Sequence, residues 1–122
     1  MLYAGGAGFF AQQPAPTALA ATATLTIAQL LTGIITTSGT VAITLTLPTG
    51  ALSDAGIVAP ALPVNGCFDW AVINTGTSTG AVTMAGGTAH TLIGGTAVAI
   101  GTAAGFRTRK TGAATFVTYR VR

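Results

Sequence analysis

The chain has 122 residues with five Lys or Arg, two Asp, one His and one Cys. Only 6% of residues are charged, against about a quarter in ordinary soluble proteins, so the sequence cannot furnish the exterior of a typical monomer. The lone Cys67 excludes an intrachain disulfide, and with only His90, Asp54 and Asp69 as companions it does not make a zinc cage.

Residues 1–24 read as an extended arm. Gly5, Gly6 and Gly8 loosen the backbone, and Pro14 and Pro16 stiffen it into an extended path. Phe9 and Phe10 lie between them with no periodic element around them. Two adjacent Phe side chains are costly to leave in water, so the arm is expected to dock on a neighbouring subunit.

A single β-domain is expected over residues 25–122. Leu25 and Ile27 face one side, opposite Thr24 and Thr26, and Ala28–Leu31 suits a single helical turn. The clearest strand is Val41 to Leu47, where Val41, Ile43, Leu45 and Leu47 alternate with smaller or polar residues. Pro48 ends it, and Thr49–Leu62 reads as a loop with room for one short helix capped by Thr49 or Ser53. Asn65-Gly66 is a turn pair leading into Cys67–Asn74. There Phe68, Trp70 and Val72 form one face, and Cys67, Asp69, Ala71 and Ile73 the other. Short strands follow at Ala81–Met84, Ala89–Ile93 and Ala97–Ile100. Phe106–Lys110 and Thr115–Val121 then form a hairpin turning near Thr111-Gly112. About eight short strands with Gly-rich turns predict an all-β fold, a small sandwich, jelly roll or barrel, with no internal repeat at a fixed period.

Membrane insertion is disfavoured by pattern. Every apolar run is broken within a few residues by Thr, Gly, Ser or Pro, well short of the roughly 20 residues a spanning helix needs. The absence of Lys and Arg from Met1 to Phe10 argues against a secretory signal.

Candidate chemistry is sparse. No nucleophile or metal signature surrounds His90, which reads as an exposed or hydrogen-bonded strand residue. Cys67 reads as a small buried hydrophobe and Trp70 as a core residue. Asp69 must be solvated or paired, with Arg107 or Arg120 as partners. No enzyme activity, cofactor or metal is expected. All five basic residues, Arg107, Arg109, Lys110, Arg120 and Arg122, fall in the last hairpin. Arg107 and Arg109 share one strand face, as do Arg120 and Arg122. They are read either as a solvated edge-blunting face or as a patch for an acidic protein partner. Nucleic acid is not expected, because no recognised motif accompanies the charge.

The order of segments resembles a known family. The segment 23–35 (ATLTIAQLLTGII), the strand ending Leu45-Thr46-Leu47-Pro48-Thr49, the segment 66–74 (GCFDWAVIN), and the tail 106–112 (FRTRKTG) with Tyr119-Arg120-Val121 are together similar to small head decoration (cement) proteins of tailed bacteriophages. That resemblance implies a β-rich domain on the outer capsid surface of a virion, with the major capsid protein as partner. It also implies self-association, as a homotrimer or alternatively a homodimer. Phe9, Phe10, Pro14 and Pro16 of the arm and the five basic residues are the candidate partner-binding positions. The competing expectation is a tail, collar or head-fibre component, or a surface carbohydrate-binding module.

Overall fold

A computed structural model describes residues 2–5, 8–57 and 62–122, with the backbone alone for 2–5 and 8–11. The described residues form a β-rich domain with two mixed sheets and two short helices, so it is not strictly all-β. The strands are β1 (Leu2–Gly5), β2 (Gly8–Ala11), β3 (Thr17–Leu19), β4 (Ala23–Thr24), β5 (Ile34–Thr37) and β6 (Ile43–Thr46). They continue with β7 (Cys67–Asn74), β8 (Val82–Ala85), β9 (His90–Ile93), β10 (Ala97–Val98), β11 (Ala103–Gly112) and β12 (Thr115–Arg120). The helices are α1 (Ile27–Leu31) and α2 (Gly50–Gly56).

One sheet has the order β3-β5-β7-β11-β12-β9 and the other β10-β8-β6-β4. From β3 to β11 each successive strand switches sheets. Neighbours within a sheet from β3 to β10 are therefore two strands apart in sequence, except that β7 pairs with β11 and β9 with β12. They run parallel where the coil simply repeats, as in β3·β5·β7 and β4·β6·β8. The first part of the domain is thus a flattened coil of three turns. Antiparallel β10 and the β11–β12 hairpin then complete the two sheets. The turns differ in length because α1 and α2 are inserted, which hides the repetition from any fixed-period search.

Inward residues of both sheets share one core. Ile43, Leu45, Val82, Met84 and Val98 meet Ile35, Trp70, Val72, Ala104 and Phe106. Trp70 stands opposite Phe106 across β7·β11, and their rings stack with centroids 4.6 Å apart. Asn74, also buried, donates through Nδ2 to the carbonyls of Gly80 and Val98, tying β7 to β10 of the other sheet.

Both helices have polar starts. The Thr26 hydroxyl accepts from Gln29 N, and Gln29 Oε1 accepts from Thr26 N, a reciprocal cap on α1. Thr49 caps α2, as anticipated for this loop. Gly50 opens α2 because the hairpin turn lies against it. A Cβ there would come 2.0 Å from Ala114 O and 2.7 Å from Ala89 O.

Several expectations need correction. The arm is not separate from the β-domain along its whole length: Thr17–Leu19 pairs with β5, and Ala23–Thr24 with β6. Backbone hydrogen bonding there outweighs the irregular look of the sequence. Within the expected arm the backbones of β1 and β2 pair antiparallel, with Ala4 opposite Phe9 and Tyr3 opposite Phe10. The strand expected from Val41 begins at Ile43, leaving Val41 64% exposed. The last hairpin turns at Ala113-Ala114 rather than Thr111-Gly112. A register shift after Lys110 carries the ladder on to Gly112 and Thr115, and Ala114 takes the left-handed conformation (φ 50°).

Candidate functional site

The last hairpin contributes two distinct polar arrangements, one to each face of the six-stranded sheet. Alternation along β11 sends Ala104, Phe106 and Thr108 inward and Arg107 and Arg109 outward.

The inner arrangement is a closed chain of hydrogen bonds. Trp70 Nε1 donates to Thr108 Oγ1 at 2.9 Å, and Thr108 lies directly opposite Thr118, their hydroxyls 2.7 Å apart. Thr118 Oγ1 is 2.7 Å from His90 Nε2, and His90 Nδ1 is 2.9 Å from Pro48 O. The two ends fix every proton. A carbonyl can only accept, so Nδ1 carries the imidazole proton and Nε2 accepts from Thr118. Indole N–H can only donate, so Thr108 accepts from Trp70 and donates to Thr118. His90 is 1% exposed, and burial holds its pKa below the ordinary 6.5, with the Pro48 carbonyl working weakly the other way.

The outer arrangement is open. Arg107 donates to both oxygens of Asp69, at 2.6 and 3.0 Å, from the register position directly across β7·β11. That hydrogen bonding holds the Asp69 carboxyl below its ordinary value. Slight burial opposes it, and the charges of Arg107 and Arg122 reinforce it. Arg109 donates to the Tyr119 hydroxyl and to Asn65 Oδ1, both neutral acceptors. Arg122 lies over Gly105, whose absent side chain leaves the space. Exposed Ile73, Ile93 and Val121 flank this cluster.

The structure does not gather the five basic residues into one patch. Arg107 and Arg109 share a face as expected, but Arg120 and Arg122 part company because β12 ends at Arg120. Arg120 donates to the carbonyls of Gly95 and Ala97, closing the hairpin onto the β9–β10 connection. Lys110 reaches Asp54 of α2 at 2.6 Å. Asp69 takes Arg107, one of the two anticipated partners. Pro14 and Pro16 lie exposed in the segment between β2 and β3. The side chains of Phe9 and Phe10 lie outside the described residues.

Cys67 is exposed rather than buried, because the inward positions of β7 belong to Phe68, Trp70 and Val72. Cys67 and His90 therefore point to opposite faces of the same sheet, and Asp54 and Asp69 lie on different elements with different cations. Among the described residues no three His, Cys, Asp or Glu side chains group as metal ligands, and no helix is long and apolar enough to cross a membrane. An open hollow of about 410 Å³ between the α1 entry and α2, lined by residues such as Leu25, Ile27, Pro48 and Leu52, carries no titratable group.

Sequence reasoning missed the inner chain altogether. Its signal was the inward phase of Thr108 and Thr118 beside Phe106 and Phe116, a polar residue at a core position on each of two paired strands. A scan against protein-family models and searches of curated proteins and of solved structures find no match to this chain.

Proposed function

We propose that the protein is a structural, non-enzymatic component of a tailed-phage virion that coats the outer capsid surface and clamps adjoining major capsid subunits. The observation that carries this reading is the character of the folded exterior. The outward positions of the four-stranded sheet are neutral: Thr24 beside Thr46, Thr44 beside Thr83, and Thr83 beside Ala97. The six-stranded sheet exposes Ile73 and Ile93 around a small ionic cluster. A surface with so few charges lacks the repulsion that keeps monomers apart, which favours contact with other protein.

Two further features support the reading. The β1–β2 backbone forms its own two-stranded sheet, and a hairpin of four-residue strands is marginal alone in water, so it gains from a neighbouring surface. The two sheets share one core, which supports a sandwich-like architecture over a closed barrel. Self-association, as a trimer or alternatively a dimer, would multiply modest single contacts into firm attachment. The carbohydrate-binding alternative loses its natural platform, since Trp70 is only 2% exposed.

The test is deletion of residues 2–16. The β-domain is expected to remain folded by circular dichroism while occupancy on purified capsids falls. Unchanged occupancy would remove the arm from the mechanism.

A further inference from the structure

The partition of the basic residues says which of them are available to a partner. Lys110 and Arg120 close the domain on itself: Lys110 is 13% exposed against Asp54, and Arg120 is held by backbone carbonyls. Arg107, Arg109 and Arg122 remain on the outer face of the six-stranded sheet around a single side-chain carboxylate, Asp69. Among the described residues, no side-chain acceptor lies within hydrogen-bond distance of the Arg122 guanidinium. It occupies the space that Gly105 leaves. A Cβ on Gly105 would lie 2.5, 2.6 and 2.7 Å from its Nη2, Nε and Cζ, so any larger residue there would push the guanidinium aside. The Gly105 carbonyl also accepts from the backbone of Val121 and Arg122, at 2.9 and 3.3 Å, which holds this segment against β11.

We propose that this face docks onto a protein surface bearing carboxylates, with Arg122 over Gly105 and the neighbouring Arg107 as the anion-binding pair, and Ile73 and Ile93 as apolar flanks. Charge complementarity selects the occupant. Three guanidinium groups against one side-chain carboxylate leave the side chains of this face net positive, so a second copy placed face to face would oppose like charges. A polyphosphate backbone would meet Asp69 at the centre of the cluster. The flanks are aliphatic, and the Tyr119 ring already lies under Arg109, 5.7 Å from its Cζ, so base-stacking platforms are lacking. A carboxylate suits the planar fork of a guanidinium, and Asp69 keeps Arg107 oriented for it. This inference rests on the docking role proposed above and adds the face and the chemistry of the partner.

The experiment uses the full chain and two soluble probes, poly-L-glutamate and duplex DNA, titrated calorimetrically at low and moderate salt. It is paired with binding to expanded shells lacking the protein. Binding to poly-L-glutamate is expected to weaken with salt. Arg122→Gln and Arg107→Gln are each expected to weaken it about threefold to tenfold, within the range of exposed to partly desolvated ion pairs. Gly105→Ala should do the same by displacing Arg122, and Lys110→Gln should leave binding unchanged. Fluorescence of buried Trp70 verifies folding of every variant. Equal affinity of Arg122→Gln and the parent, no binding of poly-L-glutamate, or tighter binding of DNA would each overturn the proposal. Poly-L-glutamate binding without shell binding would sustain the face and refute the decoration role. Shell binding indifferent to Arg122 and Arg107 would do the reverse.

Discussion

The two faces of the β11–β12 hairpin are built from the same strands and differ in one respect: inside, every donor has an acceptor; outside, donors outnumber acceptors. The chain from Trp70 through Thr108, Thr118 and His90 to Pro48 has one proton arrangement and no spare donor. The cluster of Arg107, Arg109 and Arg122 around Asp69 has cations to spare. A closed network buried between sheets specifies packing, because any rearrangement strands a polar atom in a low-dielectric interior. An open one at the surface is held loosely enough to meet something else.

The contrast can be broken from the inside first. Trp70→Ala removes the stacked partner of Phe106 and the first donor of the chain. Stability in urea unfolding is expected to fall by about 3–5 kcal/mol, as for other buried aromatics. Thr118→Val comes next. It leaves His90 Nε2 without a donor and the Thr108 hydroxyl without an acceptor, and about 1–3 kcal/mol of loss is expected by the same measurement.

The pH dependence sharpens the contrast. His90 has its folded-state pKa lowered from 6.5, so the unfolded chain binds more protons once pH drops below that value. Stability is fully present above about pH 6.5 to 7 and declines as pH falls toward the folded-state pKa. Protonated Nε2 would have to donate to Thr118, turning the Thr118 hydroxyl back onto Thr108 and leaving the Thr108 proton unplaced. Asp69, whose pKa is lowered from 3.8, acts in a separate and more acidic window, where its contribution is lost as pH falls. Urea midpoints between pH 8 and 5 should therefore drop in the parent and stay level in His90→Gln.

The smallest effect belongs outside. Arg107→Gln breaks a pair whose two side chains are each 52% exposed, and stability is expected to change by no more than about 0.5 kcal/mol. A large loss there would mean that the outer cluster is structural after all.

Much of the fold was legible in the sequence. Period-two alternation located Cys67–Asn74 and the inward set Phe68, Trp70 and Val72, because a half-buried strand prints its two faces directly. Of the two caps offered for a short helix, Thr49 or Ser53, the first caps α2. The strands of the terminal hairpin were readable, and the turn before β7 was read one residue late, since Gly66 N–H closes it onto Pro63 O around Val64-Asn65. The coiled topology was not, because parallel pairing joins residues far apart in sequence, such as Ile34 with Ala71, and leaves no local mark. The turn at Ala113-Ala114 was hidden because a non-glycine residue adopts a positive φ. At the candidate site the pairing of Arg107 with Asp69 was foreseeable from charge scarcity. The removal of Lys110 and Arg120 into intramolecular contacts was not, since both depend on elements that only tertiary folding brings near.

On the proposed reading the molecule lies against another protein assembly, its charge-poor exterior covered. A reconstruction of particles with and without the protein tests this most directly. Added density is expected on the shell exterior, with the outer face of the six-stranded sheet turned toward the capsid. Identical particles in the two preparations, or the protein found alone and monodisperse beside bare shells, would contradict it.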